Sequence, residues 1–512
     1  VIEMAEEKEN RPGEKDHRSS WHERGRQWFI TLGTALALLA TVIGFLSDSV
    51  GVVEFFQEKF APNADPAPTV IVRGGVNDGE TVTPTPAATP AIVETPTATP
   101  VPVVAAENEQ LLVVGQFTNF TVDANFNVAG RIHEALSKQV AAAQLADTRV
   151  AVWPTAIEDA SSANEVMALS KAVMVIWGEY DSGRVRVRFT VAGGGAEMDW
   201  ERLLGTPTEL STTINLDVPR ETQALALMAL GRLYRNAGDM TGARAAFAQA
   251  LAQQPSDQDT VATLTFYLAI LDATAMPPAL DRAIEGYTAV IALRPNWFNA
   301  RYNRGLAYLT RYWMSAQVEN LDAAIEDFTW TIEAQERYSE AYINRAIAYY
   351  ARNGEGDLDS SVADLDAAIG INRSSYRAYY NRGLAYIRLD QSERWVADLK
   401  KALELEPSFW VSHHALCWGY ALDGNTEAGL LHCDEAVSHD PSGSTRDGRG
   451  LLLAQMNRLD EATEDLAAYV AWLDTQPDVW STLNHRDVYE EILEGLRSGE
   501  MLITPELLDR LR

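Results

Sequence analysis

Three asparagines hold the same place in a recurring phrase. It reads Tyr302-Asn303-Arg304-Gly305-Leu306-Ala307-Tyr308, then Ile343-Asn344-Arg345-Ala346-Ile347-Ala348-Tyr349, then Tyr380-Asn381-Arg382-Gly383-Leu384-Ala385-Tyr386. A side-chain amide carries donors and an acceptor, so a row of them suits the peptide groups of an extended chain, whatever its side chains. The same amides are also able to close bonds within their own scaffold. Tyr302 and Tyr380 precede two of them, as flanks of a groove or as packing aromatics. Arg304, Arg345 and Arg382 recur beside them, with Asp327, Asp364 and Asp398 as expected partners. Cys417 and Cys433 are the only cysteines. Outside the cytoplasm they are a candidate disulfide; otherwise they are two buried thiols. His413, His414 and His432 lie near them, and His413 and Cys417 are four apart on a helix. No recognisable zinc spacing supports a ligand set there, so no metal is assigned. The chain has no GxxxxGK[ST] loop, no GxSxG elbow and no HExxH. Those absences leave no catalytic residue and no cofactor, and the expectation is a protein that is not an enzyme.

The elements that carry these residues repeat. Pro255, Pro295, Pro407 and Pro441 punctuate small-residue-rich helical stretches from about Glu221 to Val470. Repetition at this period predicts a solenoid, in which each unit buries its apolar face on the next. Gly231, Tyr234, Ala243, Phe247, Ala250 and Pro255 set the pattern. Gly383, Tyr386, Leu399, Ala402 and Pro407 repeat it, as do Cys417, Tyr420, Ala436 and Pro441. On these residues the stretch resembles the tetratricopeptide repeats. The resemblance implies a mainly α fold, an α-solenoid of about six to seven repeats over 219–474, with capping helices over 475–512. It also implies that first helices line a concave face. In some members, such as the O-linked N-acetylglucosamine transferases, asparagines at the place of Asn303, Asn344 and Asn381 grip a peptide backbone. Cys417 and Cys433 would then face each other inside one repeat. Trp395 departs from the pattern by standing where the family has a small residue, and Tyr312 to Asn320 reads as a lengthened turn.

The N-terminal part has a different logic. Gln27 to Ser47 holds no charge, and 21 helical residues cover roughly 30 Å, the hydrocarbon thickness of a bilayer. Arg11, Lys15, Arg18, Arg24 and Arg26 precede it, and only Lys59 follows closely. That asymmetry predicts a single transmembrane helix over 27–47, with a cytoplasmic tail at 1–26 and everything after it outside. The competing reading is a cleaved signal peptide, but the run is longer than the roughly 7–15 residues of a signal core. Residues 48–109 read as a linker. Thr81 to Pro102 holds six Pro and seven Thr, a composition that favours extended polyproline II over a core.

Residues 110–218 read as a small α/β domain. Leu111–Phe117, Arg149–Trp153, Ala172–Gly178 and the strictly alternating Arg184–Val191 are expected strands. Val128–Ala146 and Asn164–Ser170 are expected helices, and Asp181-Ser182-Gly183 is a turn. The opening strand ending in Phe117 and the Ile176-Trp177-Gly178 strand end resemble the N-terminal domain of TolB. That resemblance implies protein contacts and no catalysis.

The formal charge of −30 argues against nucleic acid as a partner, because phosphate binding needs clustered Lys and Arg. The function expected is a membrane-anchored scaffold outside the cytoplasm. Its partner is a protein or peptide, and the membrane is engaged through the N-terminal helix. The alternative is an accessory or regulatory subunit of a cell-envelope enzyme.

Overall fold

The computed structural model describes residues 103–120, 126–192, 198–203, 213–476, 484–499 and 503–511. The tail at 1–26, the apolar run at 27–47 and all but the end of the linker lie outside them. Among the described residues no helix is long and apolar enough to cross a membrane. Contacts divide the chain into two units, one within Pro62–Ala307 and one that includes Tyr308–Arg512.

The first unit begins with a mixed sheet. Its strands are β1 (Gln110–Gln116), β2 (Thr118–Asn119), β3 (Thr148–Ala156), β4 (Met174–Tyr180), β5 (Arg184–Val191) and β6 (Met198–Leu203). The order is β3-β1-β4-β5-β6, with β2 also on β4. β1 runs parallel to β3 and β4 on its two edges, and Leu111 to Val114, which point alternately to the two faces, are all at 0% exposure, so both faces are covered. A strand buried on both sides reads as one unbroken apolar run, as this one does. β5 pairs antiparallel with β4 and β6. It buries Val185, Val187 and Phe189 and turns Arg184, Arg186 and Arg188 the other way, which is the period-two pattern of a half-covered strand. Asp181 closes the β4–β5 turn by accepting from the backbone N–H of Gly183 at 2.7 Å and of Arg184 at 2.9 Å. β2 and β6 were not expected: one has two residues, and the other mixes charge into a short run.

Helices α1 (Val128–Ala142) and α2 (Ala160–Ser170) complete this part. α1 buries Ile132 and Leu136, and it packs against α3 (Val218–Asn236), the first helix of the solenoid. Tyr234 of α3 bonds Thr148 at 2.7 Å and also Asp147, while Gln249 donates to Gln139 of α1 at 2.5 Å. These bonds fasten the sheet domain to the first hairpin. The sheet domain and the first hairpin thus belong to one unit, which ends at Ala307.

α3 pairs with α4 (Met240–Ala252), and α5 (Gln258–Ala273) pairs with α6 (Leu280–Leu293). α7 (Phe298–Ser315) carries the division between the units. The second unit continues with α8 (Glu319–Ala334). Then come the pairs α9 (Ser339–Arg352) with α10 (Asp357–Ile371) and α11 (Tyr376–Arg388) with α12 (Ser392–Leu405). α13 (Val411–Leu422) pairs with α14 (Thr426–His439), and α15 (Arg446–Gln455) with α16 (Leu459–Leu473). α17 (Arg486–Ser498) packs on α16, and the short α18 (Pro505–Asp509) follows. The expected turn from Tyr312 is corrected: α7 runs on to Ser315, and Tyr312 and Trp313 are buried helical residues. Two large apolar rings with a place to pack outweigh the weak turn signal.

Small residues set how closely the paired helices cross. A Cβ on Gly383 would stand 2.9 Å from Leu399, and one on Gly450 would stand 2.6 Å from Leu466. Trp395, out of pattern in sequence, is 1% exposed. Gly419 of the next hairpin makes room for it, and its ring meets that of Tyr420 edge-on at 4.9 Å.

Candidate functional site

The recurring arginines tie neighbouring hairpins together. Arg345 makes two 2.7 Å bonds to Asp364 of its own hairpin and donates to Thr329 of the preceding one at 3.0 Å. Arg382 holds Asp398 in the same forked way and reaches back to Asp366 at 2.5 Å. Arg449 repeats this with Asp465 and Asp434. The forked geometry of a guanidinium on a carboxylate makes each bridge directional as well as strong. In the second unit these residues are therefore structural. In the first unit Arg304 donates to Thr288 at 3.0 Å.

The hairpin α13–α14 lacks this bridge. At the register of Arg382 and Asp398 it has Leu416 and His432, and at the register of Gly383 and Leu399 it has Cys417 and Cys433. The two sulfurs are bonded, with Cα atoms 4.7 Å apart. His432 meets His413 through the Nδ1 atoms at 2.9 Å. Burial, then the neighbouring imidazole, pushes His432 down to about 4, and burial lowers His413 as well. Among the described residues no cluster of His, Cys, Asp and Glu has the makings of a metal site.

The three asparagines are buried. Asn303, Asn344 and Asn381 are 3%, 2% and 8% exposed. Asn381 donates to the carbonyl of Arg377, one turn back in its own helix, at 2.7 Å. Asn303 faces the enclosed hydroxyl of Tyr287. Tyr302 is 1% exposed. An asparagine amide within a helix is able to bond the carbonyl one turn back, which competes with partners outside the helix. Of these five residues only Tyr380 lines the cavity found in the second unit.

That cavity has a volume of about 390 Å³. The first helices of successive hairpins build it: Tyr312 and Trp313 come from α7, Tyr350 from α9, Tyr380 and Arg388 from α11, and His414 and Trp418 from α13. Tyr469 and Trp472 of α16 and Tyr489 of α17 line it as well. Tyr380 and Leu384 on α11, like His414 and Trp418 on α13, are four residues apart, so each pair shares one helix face. Burial raises the pKa of Tyr312, Tyr350, Tyr469 and Tyr489, so these hydroxyls stay protonated and able to donate.

Two polar features break the aromatic lining. Arg388 donates to the carbonyl of Tyr350 at 3.0 Å, and its guanidinium lies 4.7 Å from the centre of that ring. Its charge acts on Tyr312, Tyr350 and His485, which belong to three separate segments. Across the wall, His414 Nε2 meets Asp447 Oδ1 at 2.8 Å. Enclosure alone would lower the pKa of His414, but Asp447 and the nearby Asp440 hold it above the ordinary imidazole value. α15 comes near enough for this because residue 448 is glycine. A Cβ there would stand 2.8 Å from Cys417 Sγ and 3.1 Å from the backbone of Trp418.

With this geometry in place, comparison with known proteins is informative about the helices. The family model of the tetratricopeptide repeat matches residues 224–257 and 376–409, two of the helical hairpins. Among solved structures, a tetratricopeptide repeat protein from Parabacteroides merdae is 14% identical. It covers 54% of this chain and 99% of its own, with a TM-score of 0.42. The protein MamA is 26% identical, covering 36% of this chain and 92% of its own at a TM-score of 0.30. YrrB, described as a TPR protein with an unusual peptide-binding site, is 18% identical, covering 38% and 91% at 0.31. No curated protein sequence matches the chain.

Proposed function

We propose that this chain is a scaffold that holds a protein or peptide segment against the inner face of its C-terminal repeats. The observation that carries the reading is the aromatic cavity built by consecutive first helices. A concave site that sets aromatic surface beside a few fixed polar groups is a usual form of binding site. The acidic surface implied by a charge of −30 favours a basic or neutral partner. The uncharged run at 27–47, its basic flank and the Pro/Thr-rich stretch support a placement outside the cytoplasm on a single membrane helix and a stalk. The α/β domain, with its likeness to the TolB N-terminal domain, then stands between the stalk and the repeats.

Site-specific photocrosslinking tests the reading. A crosslinker at Leu384, in the cavity wall, is expected to capture a partner, and one at Leu431, which is 73% exposed, is not. Equal capture at both positions, or none at Leu384, overturns it. Capture of an envelope enzyme through the α/β domain alone would point to the accessory-subunit role instead. Protease added to spheroplasts is expected to digest the repeats, and their protection would remove the membrane placement while leaving the scaffold.

A further inference from the structure

The hairpin α13–α14 replaces the whole charge network of its neighbour, not one member of it. In α11–α12, Arg382 stands between Asp398 of its own hairpin and Asp366 of the preceding one. One repeat on, those three places hold Leu416, His432 and Lys400, and the place of Tyr379 holds His413. An arginine bound by two carboxylates gives way to an uncharged side chain between an imidazole and a lysine. On this face the polar link between the two helices is the contact of His413 with His432, Nδ1 to Nδ1 at 2.9 Å. The ring centres are 5.1 Å apart, so the two nitrogens point at each other. Such a bond needs a hydrogen on one nitrogen and a lone pair on the other. One added proton is tolerated, because the donor ring takes it on Nε2. A second is not, since two N–H groups and two positive charges would then meet head-on.

The surroundings oppose the second proton further. Both rings are half-buried. The charges acting on them are Lys400 of α12 and Glu435 and His439 of α14, so two basic groups face one carboxylate. On the flanking elements, Arg382 of α11 is bound by Asp398 and Asp366, Arg449 of α15 by Asp465 and Asp434, and Asp447 of α15 by His414.

We propose that the α13–α14 contact is an acid-sensitive latch, closed while His413 and His432 share a hydrogen bond and opened when acid protonates both rings. His414, the next residue on α13, responds in the opposite sense, because Asp447 favours its charged form. Acid therefore weakens the hold of α13 on α14 and strengthens its hold on α15, while the Cys417–Cys433 bond keeps the hairpin joined. Trp418 rides on the same helix, so the device acts on the inner face of the repeats, whatever that face binds.

The direction and size follow from linkage. The closed form holds His432 down at about 4, whereas the open form takes the proton near the unfolded value of about 6.5. The latch is thus fully closed above that unfolded value and loosens as pH falls toward the folded one. At pH 5 His432 alone would favour opening about thirtyfold. Solvent on the exposed side screens the pair, so about five- to thirtyfold is expected.

Hydrogen exchange on the full chain, corrected for the intrinsic rate at each pH, reads the opening of α14. It is expected to rise by that factor from pH 7 to pH 5, while α10, tied to Arg345 through Asp364, stays level. His413→Gln combined with His432→Gln should remove the dependence. His432→Asp should reverse it, because a carboxylate opposite His413 favours the protonated ring. A second readout needs no variant. Both sulfurs are 0% exposed, so tris(2-carboxyethyl)phosphine reaches them only on opening. The phosphine becomes its oxide with oxygen from water, and the disulfide takes up two electrons and two protons. The reduction rate, divided by that of oxidised glutathione at the same pH, should rise by a similar factor. The proposal is overturned if α14 opening or the normalised reduction rate is level between pH 7 and pH 5. It also falls if α10 loosens as much as α14, or if the folded double-Gln variant keeps the parent's dependence.

Discussion

Replacing Asp447 by Asn is expected to loosen α13 and α15 in a pH-dependent way. The carboxylate meets His414 at 2.8 Å, and the two side chains are 10% and 18% exposed, so solvent screens the pair little. Asn is nearly isosteric and keeps a neutral hydrogen bond. The loss is therefore the difference between a charge-assisted bond, about 1.5–3 kcal/mol, and a neutral one, about 0.5–1.5 kcal/mol. Taking about 1–2 kcal/mol, amide exchange in the two helices should accelerate roughly five- to thirtyfold by a factor of ten per 1.4 kcal/mol. The sign with pH follows from linkage. Asp447 and Asp440 raise the pKa of His414 above its unfolded value despite burial. The stability this supplies is complete below about pH 6.5, the unfolded imidazole value, and is lost as pH rises through the higher folded value. The variant should therefore differ most from the parent near pH 5.5 and least in alkali. Hydrogen exchange followed by mass spectrometry, parent against variant at each pH, reads this locally, because repeats couple mainly to their neighbours. A difference that is flat with pH, or larger in alkali, would refute the assignment of a protonated His414 held by Asp447.

Two further predictions concern the packing around this site. Trp395→Ala should destabilise the second unit by about 3–5 kcal/mol in chemical denaturation, as for other large-to-small core changes. Gly419→Ala should be harmful in the parent, where its Cβ would stand 3.0 Å from Trp395 and 3.1 Å from Ile387, and clearly less so in the Trp395→Ala background, where the Ile387 contact alone remains. An equal cost in both backgrounds would show that Trp395 and residue 419 do not share a space. Thiol titration of the denatured, unreduced protein, prepared from an oxidising compartment, should find no free thiol, and two after reduction. Replacing both cysteines by Ala should cost about 3 kcal/mol, the loop-entropy value for a crosslink spanning a separation of 16 residues. Two free thiols before reduction would contradict the bond.

The elements were more legible in the sequence than the site, and the reason is physical. Pattern in sequence reports burial, and burial is what builds helices and strands. The unbroken Leu111–Val114 run, the alternating Arg184–Val191 run and the Gly-to-Leu spacing of the repeats each fix local packing by themselves. The asparagine row left two readings open, groove or scaffold, because positions near a crossing recur for either reason; Asn381 bonds its own helix. A cavity needs no such regularity. Its wall samples one face of each successive first helix, and that face is where repeats are free to differ. So Tyr380 becomes His414 in the next hairpin, and Leu384 becomes Trp418. Register transfer from Tyr380 would have found His414, but nothing local marks Asp447 as its partner. That contact depends on Gly448 bringing α15 onto the backbone of Trp418. In the second unit, the hairpin that gives up the Arg–Asp bridge is thus the one that lends His414 and Trp418 to the cavity. Without an arginine between its helices, it holds them by the Cys417–Cys433 bond, whose sulfur rests where any side chain on residue 448 would have to go. Departure from the repeat pattern, rather than adherence to it, is the sequence signal that lies closest to the site.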